Sequence, residues 1–592
     1  MPNNYRPAIR GSFNEDLRRW LTIGRDLSPV AMGLLFAIAL LAYQFSETPA
    51  RSEARTTVMS LQVILAGWLL LLLKFRVTLN TGVWSIAGAL WLILSSVAIF
   101  LSDHPYAGIY RQNEIVITVI NAWLFCSYFS KSNRGLVAFT ASYLVAINIT
   151  WLLLLIKFLT PESLSQIDWM DGAGIYTNIR HMGDTAAAAA VISAYFISRR
   201  SILSRTYGLI SLYASLVTLL FAAGRTSTCC ALLGVVTLMW LHRNQHGYVT
   251  TIVFTVALSV YTAISMTPDT KMDGWEGIWR FLGSTISYQG NDFTSGRSDI
   301  WIAVLEQMKT QPWFGGGPDS YYYMSPFPFG QAPHNTLLEF ALNWGWPAAT
   351  IAVAWLIWMG IRGLCLIIDN GLKGKDHLSI YWVMAFGIFF IQSMLSTTLH
   401  EPSSLFLFIP MLAIAISATK KKSNEYSQTS PLLTVLIVIF LSFTYLVNSQ
   451  YETTNNFNRK VLSNQEVTAQ ELLWVKEHPY QLEGIWQLIY KHRLDENVAY
   501  ELSIELQSKI EKRSAEILAW QSAYWRKHGD SAKADELLDM AIAKRRILKG
   551  RFHLKSICSI AGAIEWYEQC ADARDLSRQL AEKYRTARKL EP

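Results

Sequence analysis

The sequence predicts an all-α protein with a polytopic helical membrane domain, a large polar loop within that domain and a helical C-terminal tail. Three observations support this fold class. Hydrophobic residues make up 51% and charged residues 16% of the 592 residues, and the mean hydropathy is +0.22. Apolar residues are gathered into runs that suit a bilayer, which needs about 20 residues per helix. Polar residues are concentrated between residues 267 and 345 and after residue 450.

The apolar runs predict about 13 membrane spans, because a segment in lipid satisfies its backbone hydrogen bonds internally as a helix. The runs cover residues 28–45, 57–74, 79–101, 114–129, 136–159, 183–198, 206–224, 226–241, 248–266, 346–368, 380–399, 403–419 and 431–449. Together they predict a transmembrane domain over residues 28–449. The runs themselves establish a multi-pass helical bundle.

Basic residues set the predicted topology. The net charge of +8 comes from short clusters of Lys and Arg between the apolar runs, and such clusters stay on the cytoplasmic side of a membrane. With the five arginines of residues 1–27 in the cytoplasm, every later cytoplasmic connection is basic and the opposite connections are mostly not. The loop at 267–345 and a helical domain over residues 450–592 then lie outside the cytoplasm. This distribution also argues against a nucleic-acid partner.

Arg297 stands at the head of a predicted amphipathic helix within the polar loop. The stretch SDIWIAVLEQMKTQ places Trp301, Val304, Leu305 and Met308 on or near one face, which suits a helix lying along the membrane surface. An arginine at this place is either a solvated charge or a ligand for an anion. The residues alone leave both interpretations open.

Arg225 lies between two apolar runs that have almost no polar loop between them, in LLFAAGRTSTCCALLG. An arginine at membrane depth costs about 2.5 to 3.5 kcal/mol on insertion scales, so it is expected at an interface, with a partner or with a function. It either snorkels to the interface or binds an anion in a cavity. Arg180 and His181 enter the sixth span from the same side, as an ordinary polar helix start or as further ligands.

His334 is the loop's single histidine and precedes an apolar helix, with Glu339 five residues later. A lone histidine is more often structural than catalytic, but this one lies on the same predicted side as the two arginines. The aromatic strip in WFGGGPDSYYY, which contains Tyr321 and Tyr322, is suited to binding either sugar faces or lipid headgroups.

The tail contains one stretch, EILAWQSAYWRKHGDSAKADELLDMAIAKR, that resembles a tetratricopeptide hairpin. Its packing positions are occupied by Ser522, Trp525, Gly529, Ala534, Leu538 and Ala541. Such repeats bury their faces only by stacking, so residues 464–511 and 556–588 are expected to supply neighbouring units. Cys558 and Cys570 are the cysteines of this polar region; outside the cytoplasm they form either a disulfide or two separate thiols.

Four segments in order, GRTSTCCALLG, GRSDIW, GGGPDSYYY and PHNTLLEFALNWGWPAA, resemble the O-antigen ligase and polymerase superfamily of bacterial envelope glycosyltransferases. That superfamily includes O-antigen ligases, O-antigen polymerases and protein O-oligosaccharyltransferases. The resemblance covers about residues 180–420. It implies a GT-C-like fold in the bacterial inner membrane, in which a periplasmic loop closes over an undecaprenyl-diphosphate-linked glycan.

The resemblance implies roles for individual residues. Arg225 and Arg297 fall on diphosphate-binding positions, and His334 falls on the position that activates or orients the acceptor. Guanidinium groups clamp phosphates and a histidine can accept a hydroxyl proton, so we expect neither a metal nor a cofactor. Further substrate-binding residues are expected among Arg180, His181, Tyr321, Tyr322 and Glu339.

The implied reaction is en bloc transfer of a glycan from undecaprenyl diphosphate to an acceptor hydroxyl, with inversion. The thirteenth span and the helical tail resemble the protein O-oligosaccharyltransferases, so Ser or Thr of a pilin-like protein is the first choice of acceptor. Lipid A-core comes second and a growing polymer third. A transporter or flippase would need mid-membrane polar residues and repeated halves, and no such repeat is recognisable. A membrane scaffold would leave Arg225 without a function.

Overall fold

The computed structural model of the protein describes residues 27–38, 51–79, 83–129, 132–159, 179–222, 224–265, 297–319, 333–373, 377–396, 398–419, 428–480, 483–491, 494–509, 514–546 and 560–561. These residues are almost entirely helical. A two-residue antiparallel strand pair, β1 (Thr78–Leu79) with β2 (Gln428–Thr429), joins the segment after residue 72 to the segment before residue 431. The all-α prediction is therefore confirmed in its main feature.

The first thirteen helices surround a single large apolar core. They are α1 (Leu27–Ile38), α2 (Arg51–Leu72), α3 (Val83–Phe100), α4 (Pro105–Phe129), α5 (Asn133–Leu159), α6 (Ile179–Ile197), α7 (Ile202–Phe221), α8 (Arg225–Leu241), α9 (His246–Ser265), α10 (Arg297–Thr310), α11 (Thr336–Leu372), α12 (Leu378–Ser393) and α13 (Pro402–Thr419). Helix α14 (Pro431–Leu462) adds Ile437, Leu441 and Val447 to the same core and continues into the tail.

A helix overlaps each of the predicted apolar runs. In the described part of the chain, six helices are long and apolar enough to cross a membrane, and five shorter apolar helices accompany them. The exposed apolar side chains of these helices, such as Ile86, Phe100 and Phe254, suit contact with lipid. The figure of 13 spans stays a prediction, as does the topology.

Helix α10 occurs where the amphipathic pattern predicted it, and part of the predicted face is buried in the protein. Ile300, Val304 and Met308 are buried, at the i, i+4, i+8 spacing of one helix stripe. Trp301 is half-buried and Leu305 is 44% exposed, so the predicted face is only partly covered by the protein. Helix α10 packs its buried stripe against α11.

Helix α11 is bent at Gly345, where φ is +80°, and Pro347 follows two residues later. The turn after α10 is hydrogen-bonded to this bend. The amide of Gly316 donates to the carbonyl of Leu342 at 2.8 Å, and the amide of Trp346 donates to the carbonyl of Pro312 at 2.9 Å. A side chain at position 345 would meet the Trp313 carbonyl at 2.0 Å. The bend thus fixes α10 against the start of α11.

The tail begins within a membrane helix. Helix α14 runs unbroken past the predicted domain boundary at residue 450, and the following helices pack beside its C-terminal end. These are α15 (Ala469–Glu477), α16 (Glu483–Tyr490), α17 (Glu496–Lys509), α18 (Ser514–Lys527) and α19 (Ser531–Arg546).

Helices α18 and α19 form the hairpin expected from the repeat-like stretch. The Ser522 hydroxyl donates to the Ala534 carbonyl at 2.6 Å, and Leu538 and Ala541 are fully buried. Gly529 has φ +85° in the turn between the helices. The assignment to the tetratricopeptide class stays a prediction, and Cys558 and Cys570 lie outside the described residues.

Aromatic side chains attach the tail to the membrane domain. Tyr110 of α4 stacks on Tyr451 of α14, with ring centroids 3.9 Å apart. Tyr106, one turn earlier on α4, contacts the rings of Tyr480 and His478 at 5.3 and 5.9 Å. The tail is therefore held directly on the N-terminal part of α4.

Gly345→Ala should prevent normal assembly of the α10–α11 unit, because its methyl group would collide with backbone in a conformation that favours glycine. Gly360→Ala is the matched control, since position 360 lies on the same helix with open space around it. There alanine should be neutral or stabilise by up to about 1 kcal/mol. The yield of monodisperse protein in detergent measures both effects, and equal yields would contradict the role assigned to the bend.

A second prediction concerns His104, which precedes α4 near the tail. Burial lowers its pKa to about 4, with Asp103 opposing and Lys509 adding to this shift. An unfolded histidine titrates near 6.5. Between these values the unfolded chain binds a proton that the folded chain does not, so stability falls as the pH falls from about 6.5 to 4.

His104→Gln should remove that part of the pH dependence, because glutamine does not titrate. Melting temperatures of both proteins, measured from pH 7 to pH 4, should therefore diverge as the pH falls, with the wild type losing more. His246→Gln, at an exposed histidine, serves as the control. Parallel curves for the wild type and His104→Gln would contradict the burial of this imidazole.

Candidate functional site

The connection between α12 and α13, residues 394–401, joins the predicted site residues. Its backbone carbonyls accept hydrogen bonds from two elements of the polar loop. The Arg297 guanidinium donates to the carbonyl of Leu395, and the Asn335 side chain donates to that of Met394 at 2.9 Å. Thr336 donates in the same way to Ser393, the last residue of α12, at 2.8 Å. The connection thus brings Arg297 and the start of α11 together.

His334 is held at this junction by its neighbours. The Pro333 carbonyl accepts the Trp301 indole N–H at 2.8 Å, and Asn335 caps α11 by accepting the Leu338 amide at 3.0 Å. His334 itself has φ +54°, in the left-handed region that non-glycine residues seldom occupy. Such backbone conformations persist where surrounding contacts determine them, and they are frequent at functional sites.

The first turn of α8 is tied to the same connection through Asp184 of α6. The Ser227 hydroxyl donates to one carboxylate oxygen of Asp184 at 2.5 Å, and the Thr398 hydroxyl donates to the other at 3.0 Å. Arg225 is the first residue of α8, two positions before Ser227. The backbone at Arg225 is therefore anchored close to the α12–α13 connection.

His181 lies between two carboxylates, and its side chain is only 10% exposed. Its Nδ1 is 3.4 Å from Asp184 Oδ2, and its Nε2 is 3.5 Å from Glu401 Oε1. Arg180 precedes it in the first turn of α6. Glu401 is the last residue of the connection, so His181 spans from α6 to the same segment.

Glu339 belongs to a buried cluster of charged residues. Its Oε1 is 2.7 Å from His400 Nδ1 and 3.1 Å from Arg111 Nη2. The same Arg111 nitrogen donates to the Leu399 carbonyl at 3.1 Å, and Nη1 bonds to Glu114 at 2.8 Å. These side chains are between 0 and 3% exposed. Four consecutive residues of the connection, 398 to 401, thus each contact a polar side chain of another helix.

The cluster continues to the turn after α10. Arg55 of α2 lies 3.5 Å from Glu114 and 2.6 Å from Asp319, and the Asp319 amide donates to the Asn343 side chain at 3.2 Å. Asp319 has φ +59° and follows the glycine turn of residues 315–317. The carboxylates of Glu114, Asp319 and Glu339 and the guanidinium groups of Arg55 and Arg111 therefore form one continuous set of ion pairs that extends from α2 to α11.

Buried charges of this kind fix geometry more than they add stability. Removing an ion from water costs several kcal/mol, which an ion pair offsets only with good geometry and further hydrogen bonds. Each arginine here meets two acidic partners, and Arg111 also meets a carbonyl. The contacts of Glu339 fit a positioning role at the start of α11. Its expected contact with substrate stays a prediction.

The predicted site residues differ in how far the structure describes them. Arg297, His334, His181 and Glu339 all lie within or beside the contacts of the α12–α13 connection. Arg225 and Arg180 are placed by their backbone alone, each at the beginning of a helix. Tyr321 and Tyr322 lie outside the described residues. Within the described ranges, no group of three His, Cys, Asp or Glu residues could hold a metal ion.

Sequence reasoning missed the residues that organise this site: Arg55, Arg111, Glu114, Asp184, Asp319, His400 and Glu401. It also extended the eleventh span to residue 399, although α12 ends at Ser393 and a non-helical connection follows. The available signal was a set of charged residues at the ends of otherwise apolar helices, where each ion needs a partner. Which residues are partners could not be inferred from their spacing.

These features define a class of protein: a polytopic helical membrane protein with a buried, charge-paired site that has arginine and histidine residues at its edge. Residues 210–353 match the family model described as O-antigen ligase, which supports the O-antigen ligase superfamily. The match runs from α7 into α11 and includes Arg225, Arg297 and His334. The family implies a membrane glycosyltransferase with a lipid-linked glycan donor and an acceptor in the membrane. No curated protein gives a significant match to the chain.

Glu339→Gln should lower the free energy of unfolding by about 3 kcal/mol, because removing one partner of a buried ion pair leaves the other charge uncompensated. The matched control is Glu306→Gln, whose pair with Lys309 is well exposed and contributes less than about 1 kcal/mol. Denaturation in detergent measures both changes. A stable Glu339→Gln protein with a raised KM for the donor would instead make Glu339 a substrate ligand.

Proposed function

We propose that this protein transfers a glycan en bloc from undecaprenyl diphosphate to an acceptor hydroxyl at the periplasmic face of the bacterial inner membrane. The observation that carries the proposal is the meeting of three elements at the α12–α13 connection. These are α10 with Arg297, the start of α11 with His334, and the first turn of α8 with Arg225. The family match includes all three elements.

Arg225 and Arg297 are assigned to the donor diphosphate. Guanidinium groups can bind phosphate oxygens with two hydrogen bonds each and remain charged at every accessible pH. As the bond from the anomeric carbon to the diphosphate breaks, negative charge grows on the leaving oxygen. Fixed positive charge at that oxygen lowers the barrier. Arg180, in the first turn of α6, is a further candidate for the same anion.

His334 is assigned to the acceptor. Its imidazole accepts the proton of the acceptor hydroxyl while the hydroxyl oxygen attacks the anomeric carbon. One bond to that carbon forms as the bond to the diphosphate breaks, so the configuration inverts. The contacts of Pro333 with α10 and of Asn335 with the α12–α13 connection hold the backbone on both sides of His334. Tyr321 and Tyr322 are assigned to the sugar.

The acceptor proposed first is Ser or Thr of a pilin-like protein. The support is the helical domain predicted over residues 450–592: its α18–α19 hairpin buries Leu538 and Ala541, and stacked helical hairpins form extended surfaces that can bind a polypeptide. On the predicted topology this domain lies in the periplasm. Lipid A-core and a growing polymer chain are the alternatives within the same chemistry, and a polysaccharide transporter is the alternative of a different class.

Arg297→Ala and His334→Ala should each reduce glycan transfer at least about 100-fold, which is typical for loss of a charge-stabilising donor or a general base. Lys309→Ala on α10 and His246→Ala on α9 are matched controls at exposed positions, and should transfer normally. Transfer is measured in a host that makes the lipid-linked glycan, with membrane insertion checked for each variant. Normal transfer by both site variants would refute the mechanism.

The acceptor is identified in the same host by two readouts taken together. Mass spectrometry of periplasmic proteins should find the glycan on Ser or Thr, and a gel of lipopolysaccharide should show no new ladder. A ladder on lipid A-core with unmodified protein would overturn the protein acceptor. It would leave the proposed donor chemistry intact.

A further inference from the structure

A groove of about 520 Å³ lies between the outer end of α14 and helix α15. Its volume is within the range of about 300 to 1,000 Å³ common for ligand sites. The residues that matter for its chemistry are Asn456, Lys460, Gln465, Gln470, Glu471 and Trp474. None of them belongs to the site described above.

The wall of the groove is fixed by polar contacts. Lys460 of α14 pairs with Glu471 of α15 at 2.5 Å, which joins the two helices. Thr468 and Glu471 form a reciprocal capping box at the start of α15. These contacts hold the start of α15 against α14 along one side of the groove.

The lining is suited to a carbohydrate. Asn456, Gln465 and Gln470 are exposed, and each amide can both donate to and accept from a sugar hydroxyl. Trp474 is half-buried and stacks on His478 with ring centroids 4.6 Å apart, which fixes the orientation of the indole. A rigid aromatic ring with neighbouring amides matches a sugar, which presents C–H groups on its faces and hydroxyls at its edge.

The groove is connected to the candidate site by a series of aromatic rings. After Trp474 and His478 come Tyr106, Tyr480, Tyr451 and Tyr110, with successive centroids between 3.9 and 5.9 Å apart. Tyr110 directly precedes Arg111 of the buried cluster. Along α14, Asn456 lies about 10 Å beyond residue 449, the end of the apolar run, at 1.5 Å per residue.

We propose that this groove binds sugar units of the lipid-linked glycan that lie distal to the diphosphate. The identity of the glycan rests on the proposed function, whereas the presence of a carbohydrate site rests on the groove itself. The site holds the glycan while its first sugar is at the catalytic residues.

Binding tests the proposal without transfer. The probe is the oligosaccharide released by mild acid from the host's lipid-linked donor, titrated into the full-length protein in detergent and followed by calorimetry and saturation-transfer NMR. The wild type should bind it. Trp474→Ala should weaken binding about tenfold, which corresponds to about 1.4 kcal/mol. Leu473→Ala is the matched control, because Leu473 is exposed on the same helix and does not line the groove.

Trp474 also packs against the apolar core of the tail, so Trp474→Ala could weaken binding by disturbing the fold. A second variant separates these two effects. Asn456→Ala combined with Gln470→Ala removes only exposed side chains and should weaken binding by a similar factor. Absence of binding by the wild type, or unchanged binding by both variants, would overturn the proposal. The proposal would also be overturned if a Ser/Thr-rich acceptor peptide bound the wild type in place of the oligosaccharide and its binding were lost in Trp474→Ala.

The two proposals fail in different ways. Oligosaccharide binding that depends on Trp474, together with normal transfer by Arg297→Ala and His334→Ala, would refute the proposed mechanism and leave the groove standing. Loss of transfer in those variants without any oligosaccharide binding by the wild type would refute the groove alone. A donor KM raised about tenfold by the double variant, beside an unchanged KM for Leu473→Ala, would support both.

Discussion

The contact between Glu339 and its two partners, Arg111 and His400, is the interaction on which the rest of the site depends. It joins α4, α11 and the α12–α13 connection at one buried point. Because each buried ion needs its partner, the helices can assemble in few other arrangements without leaving a charge uncompensated.

The α12–α13 connection links the buried ion pairs to the candidate functional site. Its main-chain carbonyls and side chains reach α4, α6, α10 and α11, so elements far apart in sequence meet over a span of eight residues. Arg297 and His334 are partly exposed at its edge and are not part of the buried cluster. This division lets the cluster fix the positions of α10 and of the start of α11.

Sequence reasoning succeeded where local pattern determines structure. The apolar runs predicted helices correctly, the amphipathic stretch predicted α10, and the small residues of the tail predicted the α18–α19 hairpin. It did not indicate how much of the predicted face of α10 the protein covers, because that depends on the position of α11. It missed His400 and Glu401, because a short polar break between two apolar runs gives no indication that Arg111 and His181 will lie beside it. The ring positions of Tyr321 and Tyr322 remain expectations from sequence.

The unbroken course of α14 has a mechanical consequence. A single helix of 32 residues joins the bilayer to the tail, and a helix resists bending far more than a flexible linker of the same length. The helix therefore keeps a fixed distance between its apolar first half and the tail helices. On the proposed function, a glycan attached to the lipid would have to span that distance before it could contact the catalytic residues and the tail at once.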